Sequence, residues 1–298
     1  MRQLIVNADG FGFTYGNNRA ILEVLEHGFI RSVSVNVTFP AMRELPALIR
    51  QFPHVSVGVH LNLSVGPPIM PAWQIPSLVG SDGEFFGRDF PLKAIKRHFN
   101  VDEMVCELRA QIGVLREAGV RITHWESHQG RHLFPDFFQA AIQAAIAEGI
   151  PAGRTFNYYP ILPAGSRLWG LLKYYSKHPG YLFTHPLGAI RMRSLRQAGV
   201  LLQDRRLLLE PLGSDAVYRP DAWQVLLDQT PEGVNIIECH PGYVDDDLRK
   251  YARLLETREK ERQLFSDPRW LRRARDAGVE VISYHEMLQQ RKGRPNLP

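Results

Sequence analysis

Cysteine is scarce: Cys106 and Cys239 are the only two in 298 residues. Two are too few for a disulfide scaffold or a four-cysteine zinc site, which makes a cytoplasmic compartment the default expectation. Long apolar runs are missing as well. No stretch reaches 18 apolar residues, and the short run before Asp9 in MRQLIVNADG is too brief for a signal peptide. The chain has no internal repeat and no low-complexity linker. Its charge surplus is small, 36 Lys plus Arg against 31 Asp plus Glu, and a balance of +5 does not by itself imply nucleic acid. What is present is an ordinary soluble composition, 44% hydrophobic and 22% charged, which argues against a disordered or fibrous chain. The length suffices to bury a full core, and one α/β barrel of ~250 residues fits within it.

Short β-rich runs alternate with helical stretches. Leu4-Ile5-Val6 opens as a buried strand, and residues 18–27 read as a helix with Ala20, Ile21, Val24 and Leu25 on one face and Gly28 as its stop. Residues 32–38 are β-branched and end at Pro40, and 55–63 alternate around Val55, Val57, Val59 and Leu61. Residues 64–100 carry many Pro and Gly and read as a long loop region. An amphipathic helix over 102–118, a strand over 122–125 and an Ala-rich helix over 137–147 follow. Later come a strand over 234–239, a charged helix over 247–265 and a final strand over 279–284. This alternation predicts an α/β fold with a mostly parallel sheet.

The segment 167–210 differs, with eight Lys or Arg against two acids and Trp169, Tyr174, Tyr175, Tyr181 and Phe183 interleaved. It reads either as a substrate or membrane-surface flap, or as an insertion whose basic residues are simply solvated. No RNA-binding signature accompanies the aromatics.

The reactive residues cluster by position. Asp9, His60, His128 and His240 each stand at or just after a strand exit, spread over 230 residues. In a parallel sheet or barrel such exits lie on one face, where active sites are built. One such histidine is more often a satisfied structural residue; four ionisable groups at one topological position favour a shared site. His60 and His128 are natural ligands for a divalent metal, which would lower the pKa of its water and polarise a carbonyl. Asp9 would take a proton from that water and His240 would protonate a leaving group. The plainer reading of His240 is a turn residue before Pro241-Gly242, and His124 and His132 read as supporting or structural. Two expectations follow. The nearest ring nitrogens of His60 and His128 should lie roughly 3–3.5 Å apart when an ion is bound and somewhat further apart when empty, and Asp9 and His240 should border one cavity from opposite sides.

The same residues resemble the YdjC/ChbG-like carbohydrate deacetylases. The resemblance runs in order through Asn7-Ala-Asp-Gly-Phe-Gly12, Asn18 and residues 32–40, then Gly58-Val-His-Leu-Asn-Leu63 and Gly66-Pro-Pro68. It continues through Thr123-His-Trp-Glu-Ser-His128, His132, Pro135, Glu238-Cys-His-Pro-Gly-Tyr243, Tyr251, Arg258-Glu259 and Ser266-Asp-Pro268. Gly199 with Asp204 is similar to the subset associated with hopanoid biosynthesis. The resemblance implies one catalytic domain over residues 1–298, a distorted (β/α) barrel of mostly parallel strands with a basic aromatic insertion at about 160–220. It implies removal of an acetyl group from an N-acetylated amino sugar, free or lipid-linked, with a divalent ion, magnesium or zinc. It also implies Asp9 as base, His60 and His128 as metal ligands and His240 as acid.

The chain departs from the pattern at three positions. Gly10 stands where the family carries a second, metal-binding aspartate, Glu126 where it carries an aspartate, and Gly130 where it carries a histidine. Glycine offers no side-chain ligand. The third ligand is therefore Asp9 or Glu126, or the protein binds sugar without catalysing, or Gly10 is a change in an otherwise active enzyme. The leading expectation is a metal-dependent N-deacetylase, followed by a sugar-binding homologue with an incomplete metal site. A protein in peripheral contact with a membrane surface through its basic aromatic segment ranks third.

Overall fold

The computed structural model describes residues 1–163, 165, 167–252 and 255–292. Nine strands occur among them: β1 (Arg2–Phe11), β2 (Ser32–Val35), β3 (Ser56–Leu61), β4 (His124–Ser127), β5 (Ala152–Gly153), β6 (Tyr158–Pro160), β7 (Arg205–Leu208), β8 (Gly233–Cys239) and β9 (Val279–Val281). Twelve helices accompany them: α1 (Tyr15–Leu25), α2 (Leu45–Gln51), α3 (Phe90–Ile95), α4 (Val101–Glu117), α5 (Pro135–Ala147), α6 (Arg167–Lys177), α7 (Tyr181–Gln197), α8 (Pro220–Gln229), α9 (Asp246–Tyr251), α10 (Glu256–Phe265), α11 (Trp270–Asp276) and α12 (Tyr284–Lys292). The strands run in the order β5-β4-β3-β2-β1-β8-β7-β6, with β9 also on β1, and every pairing between them is parallel. The result is a curled, open (β/α) barrel: the parallel sheet is what the alternation of elements predicts, and the distorted barrel is what the family resemblance implies.

Strand periodicity sorts the side chains into an outer and an inner layer. Leu4, Val6 and Ala8 of β1, Val33 and Val35 of β2, Val57, Val59 and Leu61 of β3, and Trp125 of β4 join the large apolar core beneath the helices. The alternate positions face inward. At the bottom Ile5, Ile236, Ala152, Tyr284 and Met287 form a second, smaller cluster. Higher up, the inward set turns polar: Asn7 and Asp9, Ser32 and Ser34, His60, Glu126, Arg154 and Glu238. Register holds these residues level, because Asp9 pairs with Ser34, His60 with Glu126, and Asn7 with Glu238.

Local chemistry sets the helix ends. Thr14 caps α1 by accepting from the amide of Asn17 at 3.1 Å, and Asn100 caps α4, whose first turn carries Asp102 and Glu103. The expected loop at 64–100 contains α3 and short 3₁₀ turns, and it is strapped to α4. Glu107 accepts from the amides of Ile69 and Met70 at 3.0 and 2.8 Å, and Glu103 from that of Ser77 at 2.8 Å. Two expectations are corrected. The single helix over 247–265 is α9 and α10, because the backbone at Ala252 turns extended (φ −116°, ψ 153°); residues 253 and 254 lie outside the described set. The last strand stops at Val281, because Ser283 and Glu286 form a reciprocal cap that starts α12. Among the described residues no helix is long and apolar enough to cross a membrane.

Candidate active site

A cavity of about 860 Å³ opens at the C-terminal ends of the strands, and Asp9, His60, Glu126, His128, Arg154, Glu238 and His240 are all in its wall. Each is delivered by a strand end: Asp9 by β1, His60 by β3, Glu126 by β4, and His128, Arg154 and His240 by the residues just past β4, β5 and β8.

Arg154 is the hub. It is buried, and its Nη1 and Nη2 donate to Asp9 Oδ2 and Oδ1 at 2.7 and 2.5 Å, while Nη1 also lies 2.5 Å from Glu126 Oε2. Asn7 Nδ2 adds a third hydrogen bond to Asp9 at 2.7 Å. Burial pushes the Asp9 carboxyl pKa up, but the guanidinium fork outweighs it and holds the group well below the usual carboxylate range. Two carboxylates against one guanidinium leave a single net negative charge there.

That charge faces the histidines. His60 Nδ1 contacts Glu126 Oε1, and with a carboxylate as acceptor the proton sits on Nδ1, leaving Nε2 with its lone pair. Burial lowers the His60 pKa, yet Glu126 outweighs it and the net shift is upward. His60 Nε2 lies 3.2 Å from His128 Nδ1, within the range expected of two nitrogens sharing one ion. Burial, assisted by His60 and Arg258, pushes His128 well below the ordinary imidazole value, so its ring is neutral and competent as a ligand. Its Nε2 is buried with no hydrogen-bond partner among the described residues. Ligand atoms of Asp9, His60 and Glu126 all lie within 4.8 Å of one another. The neutral His128 ring, the His60 Nε2 once its proton is displaced, and the surplus carboxylate charge fit a divalent cation.

His240 Nε2 stands 3.8 Å from Asp9 Oδ2. The two residues are neighbours rather than opposite walls, because β1 and β8 pair directly and Ala8 is level with Cys239. His240 is 39% exposed where Asp9 is 4%, so the imidazole faces the mouth and the carboxylate the floor. Enclosure in the cavity lowers the His240 pKa to about 4, against the upward pull of Asp9. Its backbone amide donates to buried Glu261, whose carboxyl is pushed up by burial to about 8.

Folded Glu261 therefore binds a proton that the unfolded chain releases above its ordinary value of 4.5. Its contribution to stability is lost as pH rises from there towards 8, with a limiting slope of about 1.4 kcal/mol per pH unit. Glu261→Gln keeps an acceptor for the His240 amide and should flatten that decline. Chemical denaturation from pH 5 to 9 checks this, and identical slopes for the two proteins would show that Glu261 does not titrate there.

Gly10 occupies a β-bulge. The β1–β2 register slips between Asp9 and Phe11, and Gly10 takes φ +92° with its carbonyl accepting from the amide of Phe13 at 3.1 Å. A Cβ built there would meet nothing closer than 3.7 Å, and its nearest neighbour is Asn17 Nδ2. Neither Asn17 Nδ2 nor Oδ1 has a partner among the described residues.

His124 and His132 are both tied into the scaffold, and His132 also borders the cavity. His124 stacks on Tyr284 at 3.6 Å with rings 4° apart, lies 3.1 Å from Ser34 Oγ, and fills the space above Gly58, where a Cβ would approach its ring to 2.3 Å. His132 is held by Ser127 Oγ and packs on Phe156 at 4.6 Å. Sequence reasoning gave no role to Arg154, Arg206, Arg258 or Glu261. The signal for Arg154 was its place two residues past the apolar Ile150-Pro-Ala stretch, a strand exit like the others. The strand, β5, is only two residues long and does not announce itself.

Residues 3–276 match the family described as YdjC-like protein. The chain is 26% identical to a carbohydrate deacetylase of Geobacillus stearothermophilus over 97% of this chain and 99% of that one. It is 28% identical to a carbohydrate deacetylase of Thermoanaerobacter pseudethanolicus over 95% and 98%. Among solved structures, an Enterococcus faecalis protein provisionally assigned to cellobiose-phosphate cleavage superposes with a TM-score of 0.75 at 24% identity, covering 96% of this chain and 98% of that one. A match spanning nearly the whole chain, on a fold of the same architecture, places it by descent: the protein is a member of the YdjC-like family.

Proposed function

We propose that the protein is a carbohydrate N-deacetylase that hydrolyses the acetamide of an amino sugar, free or lipid-linked, with the help of a divalent ion. The observation that carries this reading is the His60–His128 pair, 3.2 Å apart, set beside the Asp9–His240 pair, 3.8 Å apart, in one cavity. His60 and His128 would hold the ion, with Asp9 or Glu126 as third ligand. When bound, magnesium or zinc supplies a Lewis acid for the carbonyl and an acidified water. Arg154 keeps Asp9 ionised and fixed, and Oδ2, which keeps a second lone pair beside its bond to Arg154 and faces His240, would accept the proton that water releases on attack. His240 is neutral at rest, takes that proton across the short gap, and is stabilised as imidazolium by Asp9. It then gives the proton to the departing nitrogen, and the products are acetate and the free amine. Amine release from N-acetylglucosamine oligomers, measured with added metal and with chelator, tests the reading. Full activity in chelator removes the ion, and no release with any metal removes the activity.

A second reading, a sugar-binding homologue that does not turn over, is favoured by one feature. Gly10 carries no carboxylate, and both Asp9 oxygens are taken by Arg154. Gly10→Asp distinguishes the two. The bulge has room for a Cβ and an unsatisfied amide, Asn17 Nδ2, beside it. A non-glycine residue at positive φ costs about 1–2 kcal/mol. The expected result is a lower melting temperature together with tighter metal binding and faster amine release, because a hard, charged ligand joins two neutral ones. Side-by-side calorimetric titrations check it; equal affinities would show that another residue already completes the site.

A further inference from the structure

Helices α6 and α7 form a hairpin beside the cavity whose two sides differ sharply. The inner side is anchored. Tyr174, Met192 and Leu195 are buried, Met192 Sδ accepts from the Phe156 amide at 3.0 Å, and Arg191 lies over the Phe138 ring at 4.3 Å. The outer side is apolar and bare. Trp169 is 78% exposed and Ile190 65%, with Leu172, Leu182 and Leu187 also open to solvent. These 31 residues hold five of the twelve large exposed hydrophobic side chains, so the clustering is a property of this element and not of the whole surface. Helical spacing gathers them. Trp169, Leu172 and Lys173 share one stripe of α6, and Leu182, Pro186, Ile190 and Arg193 share one of α7.

Charge on the hairpin has one sign. Residues 167–197 contain six Lys or Arg and no Asp or Glu. Lys173, Lys177, Arg193 and Arg196 are exposed, and none has an ion-pair partner among the described residues. An exposed Trp/Leu/Ile face flanked by unpaired cations complements a surface that is apolar within and anionic at its rim.

We propose that this hairpin docks the protein peripherally on a bilayer containing anionic lipid. Neither helix is long and apolar enough to span it, so the contact is interfacial. The hairpin also reaches the cavity through a short chain of contacts. His185 of α7 stacks on Tyr158 at 4.4 Å, Arg206 lies over Tyr158 at 5.4 Å, and Arg206 pairs with Glu238 in the cavity wall. This chain of contacts links the docking element to the cavity wall. A further consequence, that the acetylated sugar is lipid-linked, rests on the proposed activity; the docking does not.

The test is flotation of the full chain, without sugar, on phosphatidylcholine vesicles with and without phosphatidylglycerol. Partition should be roughly tenfold stronger on the anionic vesicles and should weaken as salt is raised. Trp169→Ser with Ile190→Ser should lower partition roughly tenfold, and Lys173→Glu with Arg193→Glu should erase the preference for phosphatidylglycerol. All four positions lie outside the cavity wall, so melting temperature and amine release from a soluble oligosaccharide should match the parent protein and show that the fold is intact. No partition at low salt overturns the proposal, as does equal partition of parent and variants. A concentration-dependent dimer lost in the Trp169→Ser, Ile190→Ser variant would assign the face to a second copy and overturn it too. So would capture of an RNA oligomer without vesicle binding. Because the vesicle assay needs no turnover, failure of the deacetylase reading leaves its result standing.

Discussion

Asp9→Asn should abolish amine release while leaving sugar affinity nearly unchanged. Asparagine keeps the shape and one acceptor for Arg154, but it cannot take a proton. Removing a positioned base typically lowers kcat by about 10²–10⁴-fold. Asp9 lies on the cavity floor, 4% exposed, and the sugar body would be held by walls that the substitution does not touch. The loss should therefore fall on kcat and not on KM. Paired kinetics on an N-acetylglucosamine oligomer and calorimetry with the same ligand check this. Full turnover in Asp9→Asn would remove Asp9 as the base and leave Glu126, which shares Arg154 Nη1 with it, as the next group to test.

The second large effect concerns stability. Arg154→Met should cost about 3–5 kcal/mol, the range seen when one partner of a buried ion pair is removed and the other charges are left uncompensated. Here two carboxylates lose the guanidinium, Asp9 and Glu126, both nearly sealed from solvent, and only Glu126 keeps a hydrogen-bonded partner of potential positive charge, His60. The pH dependence should also reverse. In the parent protein the Asp9 carboxyl is held below its ordinary value of 3.8, so its stabilising contribution is present above that pH and disappears as pH falls through the depressed value. Without the guanidinium, burial, the largest influence on the Asp9 carboxyl, is opposed only by His240 and His60, and the carboxyl pKa should rise. Ionisation then opposes folding, and the variant should lose stability as pH rises. Urea denaturation at several pH values from 4 to 8 checks both magnitude and sign. A uniform offset at all pH values would show that Arg154 acts by packing and not by charge.

The parallel α/β sheet and the common placement of the reactive residues were legible in the chain because strand periodicity and strand termini are local properties. The alternation of Val57, Val59 and Leu61 with Gly58 and His60 marks an outer and an inner face without any tertiary information. Asp9, His60, His128 and His240 stand at strand exits, and a parallel sheet brings such exits to one end whatever the details of packing. Helix stops at Gly28, Gly119 and Gly149 were readable on the same local grounds.

What remained hidden depends on residues far apart in sequence meeting in space. Arg154 is 145 residues from Asp9, and the strand that carries it is two residues long, too short to give a periodic signal. That β8 lies next to β1, and so makes Asp9 and His240 neighbours, is a matter of strand order, and strand order depends on which crossovers pack best. The same holds for Gly10. Its identity was plain, but the bulge at φ +92° appears only once β2 is paired against β1. The α6–α7 hairpin makes the point on the surface: its basic, aromatic composition is visible in the sequence, but which side turns outward was settled by where Tyr174, Met192 and Leu195 found cover. Composition supplies the charge and the apolar area, and packing against the barrel decides which of it water sees.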